Sequence, residues 1–351
     1  MSHEPPNKIL IIRFSSLGDV LLATPLIRVL RTAYPHAQID FLVKSGYADV
    51  LRTNPYLSSV IELTTAGYAN VRTVKHHIRT SRYDLILDIH NSLRSRYMRS
   101  FSHAKTIRVV RKRALARFFL VRFKWNFYRD DISVADRYLE TVHSYGLRND
   151  GKGLDVFIPE TVVTSSTVQN YDSDDKEILI VGIVPTARHF TKRWPAERFI
   201  DLGMRCATSR KTRLLIFGSS EEEEYCKNIA QAINAQSSSV VAENLAGKLT
   251  LLETAAIFDR CSAIVTNDTG LMHLAAARKG KVVAIFGSTV RELGFFPYGT
   301  DAIVVENHGL SCRPCTSNGL PECPRGHFQC MKGIETKEVI AALEKMSGIS
   351  G

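Results

Sequence analysis

Ile264-Val265-Thr266-Asn267-Asp268-Thr269-Gly270-Leu271-Met272-His273-Leu274-Ala275-Ala276-Ala277 runs an apolar strand through a short polar turn into an Ala-rich helix. The first N–H groups of such a helix lack internal partners, and the helix dipole adds roughly half a positive charge there, so the turn is an anion site. A phosphate would sit on the N–H groups of Thr269, Gly270 and Leu271. Gly270 has no Cβ to hold a ligand off the main chain, and the Asp268 side chain can cap N–H groups of the first turn. Without a ligand the same residues make a capped helix, and the rest of the chain decides between the two.

The strand-turn-helix pattern recurs on both sides of this stretch. Upstream, Lys8–Phe14 reads as a strand, and Asp19–Thr32 as an amphipathic helix with Val20, Leu21, Ile27 and Leu30 apolar. Strands follow at Ile39–Val43, Val60–Leu63, Leu85–Ile89 and Thr106–Val110 with helical segments between them, which predicts a parallel sheet covered on both faces. A second series runs through Ile178–Val184, Arg213–Phe217, Ser239–Ala242, Ala263–Thr266 and Lys281–Phe286, and predicts a second sheet of the same kind. Asn149–Gly153 and Thr164–Glu177 read as connecting segments, and Lys337–Lys345 as a final helix with Thr336 as its N-cap. The reading is two domains, 1–160 and 161–351, each a doubly wound α/β sheet, with ligands in the cleft where the carboxyl ends of the strands face each other.

Charge separates the halves. Residues 1–160 hold 25 Lys and Arg against 14 Asp and Glu, whereas 161–351 hold 21 of each, so the whole net charge of +11 lies in the first half. Between Arg72 and Arg129 stand 16 basic residues and two acids, Asp84 and Asp88, interleaved with Phe118, Phe119, Phe123, Trp125 and Phe127. Such a surface attracts anions: nucleic acid, an anionic membrane face, or a phosphorylated or carboxylated acceptor. The N-terminus lacks the basic and apolar regions of an export signal, and no apolar run approaches the roughly 20 residues that span a bilayer, so a cytoplasmic location is expected. Seven cysteines without such a signal predict reduced thiols. Cys312, Cys315, Cys323 and Cys330 fall in one loop, with His327 as a competing ligand, and are candidates for a structural zinc or iron.

The chemistry concentrates at the turns. Ser15-Ser16-Leu17-Gly18-Asp19 follows the first strand, and Asp19 is a candidate general base, ionised at neutral pH, or else simply a helix cap. The loop lacks G-x-G-x-x-G, which disfavours a dinucleotide-dependent dehydrogenase. The corresponding turn of the second half, Val184 to Pro195, offers hydroxyls, and Lys192 or Arg193 to neutralise a diphosphate. Glu253 opens a later helix, where it can hold a ribose diol or complement the helix dipole. Gly287-Ser288-Thr289 makes another Gly-bounded loop on the same pocket.

Taken together, Gly18-Asp19, Lys192-Arg193-Trp194-Pro195, Asn267–His273 and Phe286–Thr289 resemble the motifs of glycosyltransferase family 9, the ADP-heptose:lipopolysaccharide heptosyltransferases, in order and over nearly the whole chain. The resemblance implies a GT-B architecture of two Rossmann-like domains, and inverting transfer of a heptose from ADP-heptose to an anionic inner-core acceptor, a Kdo or heptose hydroxyl, without a cofactor or catalytic metal. It implies Asp19 as the base and Lys192 on the diphosphate. Thr186, Asp268, Thr269, Gly270, Leu271, His273 and Gly287 would form the rest of the donor site, with Glu253 on the ribose. Ser15, Ser16, Gly18, Arg72, Lys75, Arg79, Arg94 and Arg96 would meet the acceptor, and the enzyme would work peripherally on the cytoplasmic face of the inner membrane. Two readings compete: a GT-B enzyme using another nucleotide sugar or a protein acceptor, and a non-enzymatic basic protein binding nucleic acid or membrane, whose affinity would fall steeply with salt.

Overall fold

The computed structural model describes residues 4–64, 67–128, 132–172, 178–206, 211–237 and 240–348. Residues 173–177 of the expected connecting segment and Ser239 of the expected strand lie outside them. The chain divides into two compact units, Met1–Arg113 with Ile132–Phe157, and Ala114–Asp131 with Ile158–Gly351.

The first unit is built on a five-stranded sheet of β1 (Lys8–Ile12), β2 (Gln38–Lys44), β3 (Ser59–Leu63), β4 (Leu85–Asp88) and β5 (Thr106–Val109), in the order β3-β2-β1-β4-β5. Every pairing is parallel. A parallel sheet is covered on both faces, which is why β1 reads Lys-Ile-Leu-Ile-Ile and buries everything after its first residue. Leu10, Ile12, Phe14, Leu42, Ile78, Tyr83 and Ile86 form part of one core cluster. Arg28, 4% exposed, takes Asp150 at 2.6 Å, Asp155, and the Gly153 carbonyl at 2.9 Å, and so fastens the expected connecting segment back onto this unit.

The helix expected over Asp19–Thr32 is two helices, Leu17–Leu21 and Thr24–Ala33. Pro25 explains the break: it lacks an N–H for the carbonyl of residue 21, and its ring crowds that carbonyl. The Thr24 hydroxyl donates to the Leu21 carbonyl instead, at 2.7 Å.

The second unit carries a six-stranded parallel sheet in the order β11-β10-β9-β6-β7-β8. Its strands are β6 (Leu179–Val184), β7 (Thr212–Ile216), β8 (Val240–Asn244), β9 (Ala263–Asn267), β10 (Val282–Phe286) and β11 (Ala302–Glu306). The edge strand β11 is absent from the sequence reading. Only a 3₁₀ turn, Arg291–Leu293, separates it from β10, so no helical period announces it. The segment Ala114–Asp131, placed in the first domain by the 1–160 reading, groups here because Leu120 and Tyr128 bury against Leu293. Trp194 is fully buried, and its indole N–H donates to the Ile334 carbonyl at 3.1 Å. The final helix spans Thr336–Ser347, and its N-cap is Glu335 rather than Thr336.

The strand orders fix where a ligand can go. In the first unit the crossovers run one way from β1 to β3 and the other way from β4 to β5, so a crevice opens past the carboxyl ends of β1 and β4. In the second unit the same reversal falls between β6 and β9.

Candidate active site

At the first switch point, β1 runs into Arg13, Phe14 and the capping box that starts Leu17–Leu21. Ser16 is the N-cap and Asp19 stands at the third helical position, so Asp19 is not the cap residue itself. Its Oδ2 accepts the Ser16 N–H and hydroxyl, both at 3.0 Å. Its Oδ1 meets the Arg13 guanidinium at 2.6 Å and accepts the Tyr138 hydroxyl at 3.2 Å. Burial alone would raise the carboxyl pKa, but the Arg13 charge and the Ser16 hydrogen bonds outweigh it and hold Asp19 below the usual carboxylate range. Arg13 is itself fixed by donating to the Ile89 carbonyl at 2.9 Å, at the carboxyl end of β4.

His90, next in the chain, packs its ring 4.8 Å from that of Phe14. Burial first, then the positive charges of Arg13 and Lys112, push it down to about 4, so it is a neutral imidazole at pH 7. Asp88 ends β4 fully buried; it accepts the N–H groups of His90 at 3.1 Å and Asn91 at 2.7 Å and pairs with Arg99 at 2.9 Å.

The basic residues expected on this unit fall into two kinds. Arg72 and Arg79 are exposed on Gly67–Ser81, and Arg94 and Arg96 are exposed on Leu93–Arg99. Lys75 is committed to structure: its ammonium donates to the Tyr97 carbonyl at 2.5 Å and the Ser100 hydroxyl at 2.9 Å, closing the carboxyl end of Leu93–Arg99. Gly18 is buried, Ser15 half-buried and Ser16 exposed.

At the second switch point, the loops after β6 and β9 meet. The Lys192 ammonium stands 2.6 Å from Asp268 Oδ2, their side chains 14% and 6% exposed, and the Thr289 hydroxyl donates to the same oxygen at 2.8 Å. Asn267 ties the two loops together, accepting the Trp194 N–H at 3.1 Å and donating to the Pro185 carbonyl at 2.8 Å. Thr269 is the N-cap of Gly270–Ala277, and its side chain makes no capping bond. Asp268 therefore holds Lys192 rather than capping the helix as its sequence position suggested. A charged partner in a largely buried site outweighs a neutral N–H. The N-terminus of Gly270–Ala277 is left uncapped by its own N-cap side chain, directly after the residue that holds a cation.

The other expected donor residues are spread around these loops. Thr186, 2% exposed, donates to Glu222 Oε2 at 2.9 Å, and that oxygen also accepts the Ser219 N–H at 3.0 Å. Glu253 is the third helical residue of a capping box on Leu251–Phe258; its Oε2 accepts the Thr250 N–H at 2.8 Å and hydroxyl at 2.9 Å. His273 is buried within Gly270–Ala277. Gly287 follows β10, and a Cβ there would meet the Met331 side chain at 2.7 Å, so close packing accounts for this glycine. Arg13, Tyr138, His90 and Glu222 were missed in the sequence, and Thr289 was read only as part of the Gly287–Thr289 loop. A cation one residue past a buried strand and the Ser219-x-x-Glu222 spacing were the available signals for two of them.

The structure lends no support to the candidate metal centre in the cysteine loop. All seven cysteines are free thiols, and among the described residues no group of three or more His, Cys, Asp or Glu side chains is arranged to hold a metal ion. Cys312 Sγ lies 3.8 Å from His327 Nε2, but Cys330 is built into the core. Burial first, then the neighbouring Cys315, Cys323 and Cys312, raise the Cys330 thiol to about 11.

Comparison with known proteins shows the family and the fold. The sequence model of Glycosyltransferase family 9 (heptosyltransferase) matches residues 71–324. Lipopolysaccharide heptosyltransferase 2 of Salmonella typhimurium is 28% identical over 291 residues, 80% of this chain and 82% of that protein. The solved structure of a family 9 glycosyl transferase from Veillonella parvula shares the fold with a TM-score of 0.77 at 23% identity, covering 98% of each chain. That of E. coli ADP-heptose lps heptosyltransferase II does so with a TM-score of 0.73 at 23% identity, covering 97% of this chain and 98% of that one. Two doubly wound α/β units, a carboxylate at one switch point and a cation beside a helix N-terminus at the other thus occur in a chain that belongs to glycosyltransferase family 9, the heptosyltransferases.

Proposed function

We propose that this enzyme transfers a heptose from ADP-heptose, with inversion, to a hydroxyl of an anionic lipopolysaccharide inner-core acceptor. The acceptor oxygen bonds to the anomeric carbon, the bond from that carbon to the diphosphate breaks, and the electron pair leaves with ADP. The hydroxyl proton goes to Asp19. A carboxylate held below the usual range is a weak base, but the hydroxyl grows acidic as its bond to carbon forms, so a late proton transfer suits it. Arg13 and Tyr138 orient the carboxylate, while Lys192 and the N–H groups at the start of Gly270–Ala277 meet the charge that develops on the diphosphate. Glu253 takes a ribose hydroxyl with the oxygen Thr250 does not occupy.

The observation that carries the reading is the Lys192–Asp268 pair set immediately before an uncapped helix N-terminus at a switch point. The exposed arginines 72, 79, 94 and 96 suit an acceptor bearing carboxylates and phosphates. A lipid-linked acceptor implies work at the cytoplasmic face of the inner membrane, in peripheral attachment; no helix among the described residues is long and apolar enough to cross one. The test is incubation with ADP-heptose and a series of truncated lipopolysaccharides, read by mass. A gain of one heptose on one truncation supports the proposal and names the acceptor; no gain on any, or transfer from a UDP-sugar instead, overturns it.

A further inference from the structure

The helix Ala114–Phe123 turns one face inward and leaves the other in water. Leu120 buries with Tyr128 and Leu293, and Ala116, Val290 and Phe295 pack against them. On the outside Leu115 is 76% exposed, Phe118 56%, Phe123 44%, Trp125 57% and Phe127 58%. These aromatic rings are one array. Phe118 meets Phe123 at 6.0 Å, Phe123 stacks on Trp125 at 5.3 Å, and Trp125 meets Phe127 at 6.4 Å, with Phe119 touching all four. A contiguous exposed apolar patch of this size marks an interaction surface.

Charge selects its partner. No acidic residue occurs between Ile89 and Arg129, while Arg111, Lys112, Arg113, Arg117, Arg122 and Lys124 do. Arg113 is spent on Glu140 at 2.8 Å, and Lys124 on the Pro314 carbonyl at 2.6 Å. Arg122 stands over the Phe123 ring at 5.4 Å, its cation beside the apolar array. A second copy of this chain would set like charges against each other. An anionic lipid surface complements both the cations and the rings, because aromatic side chains favour the headgroup boundary and arginines the phosphates.

We propose that Ala114–Phe123 and the following Lys124–Phe127 insert into the interface of an anionic bilayer, with Leu115, Phe118, Phe123, Trp125 and Phe127 at the acyl boundary and Arg117 and Arg122 on lipid phosphates. At ten residues the helix lies in the interface and does not span it. The inference rests on the lipid-linked acceptor proposed above and adds the element that brings the enzyme to it.

The chain carries its own probe, since Trp194 is fully buried and Trp125, the other tryptophan, sits in the array. Full-length protein is mixed with vesicles of phosphatidylglycerol or of phosphatidylcholine, and sedimentation and tryptophan emission are followed. The expected result is at least about tenfold stronger partitioning to phosphatidylglycerol, weakened by salt, with a blue shift of the emission. Phe118→Ser/Phe123→Ser/Phe127→Ser and Arg117→Glu/Arg122→Glu should each lose that partitioning while keeping the melting temperature and the rate on a water-soluble acceptor saccharide. Wild-type protein that neither sediments with phosphatidylglycerol nor shifts its emission overturns the proposal. So does a dimer, or a single-stranded oligonucleotide complex, that the same substitutions abolish in place of vesicle binding. If vesicles bind but no heptose reaches any soluble acceptor, the proposed function fails and this inference stands.

Discussion

Replacing Lys192 by methionine separates a binding role from a structural one. Its ammonium faces Asp268 at 2.6 Å in a site where the carboxylate is 6% exposed, so the substitution leaves a nearly buried charge leaning on the Thr289 hydroxyl. Breaking a buried pair costs about 3–5 kcal/mol; solvent reaches Lys192, which puts the loss near ~3 kcal/mol. For a unit of roughly 200 residues that is a drop of about 6–12 °C in melting temperature. A lost charged hydrogen bond to a diphosphate is worth about 1.5–3 kcal/mol, so ADP should bind about 10- to 150-fold more weakly. Lys192→Met/Asp268→Asn removes the orphaned charge as well. Scanning fluorimetry should then show most of the stability restored, while titration calorimetry still finds ADP binding about tenfold weaker than wild type. If the double variant binds ADP as tightly as wild type, Lys192 serves the fold and not the ligand.

Three further outcomes follow from the same geometry. The folded protein keeps His90 neutral down to about pH 4, whereas an unfolded histidine protonates near 6.5, so this group's share of stability is intact above pH 6.5 and is lost as pH falls toward 4. The melting-temperature difference between His90→Gln and wild type should change across that window, and a constant difference would contradict the assignment. Gly287→Ala forces the Met331 side chain to move and should destabilise by about 1–3 kcal/mol. Met331→Ala in the same chain should recover part of that; simple additivity in chemical denaturation would refute the contact. Arg94→Ala/Arg96→Ala should raise KM for the anionic acceptor several-fold at low salt, with the difference shrinking as salt screens it and ADP affinity unchanged. An effect on ADP affinity would move these residues out of the acceptor site.

The parallel sheets were legible because strands buried on both faces appear as unbroken apolar runs, as in Lys8–Ile12 and Val282–Phe286. β11 escaped because recognition leaned on the alternation with helices, and no helix precedes it. Local rules placed Asp19 and Glu253 at helix starts, and both are third residues of capping boxes. They could not supply partners from far along the chain. Tyr138 reaches Asp19 across 119 positions, and nothing in the intervening residues names it. The capping rule even misled at Asp268, where Lys192, brought in from the loop after β6, claimed the carboxylate. The cysteine loop shows the same limit: spacing suggested a ligand set, and only the fold shows Cys330 packed into the core.

The central claim is that the Asp19 carboxylate takes the acceptor proton. Asp19→Asn preserves the shape and leaves an oxygen for Arg13, while Asp88 still contributes to the field on that guanidinium. Transfer from ADP-heptose by this variant, measured alongside its ADP affinity, is the most direct test. The account predicts a turnover lower by about 10²- to 10⁴-fold with ADP binding unchanged. Transfer at the wild-type rate would contradict it.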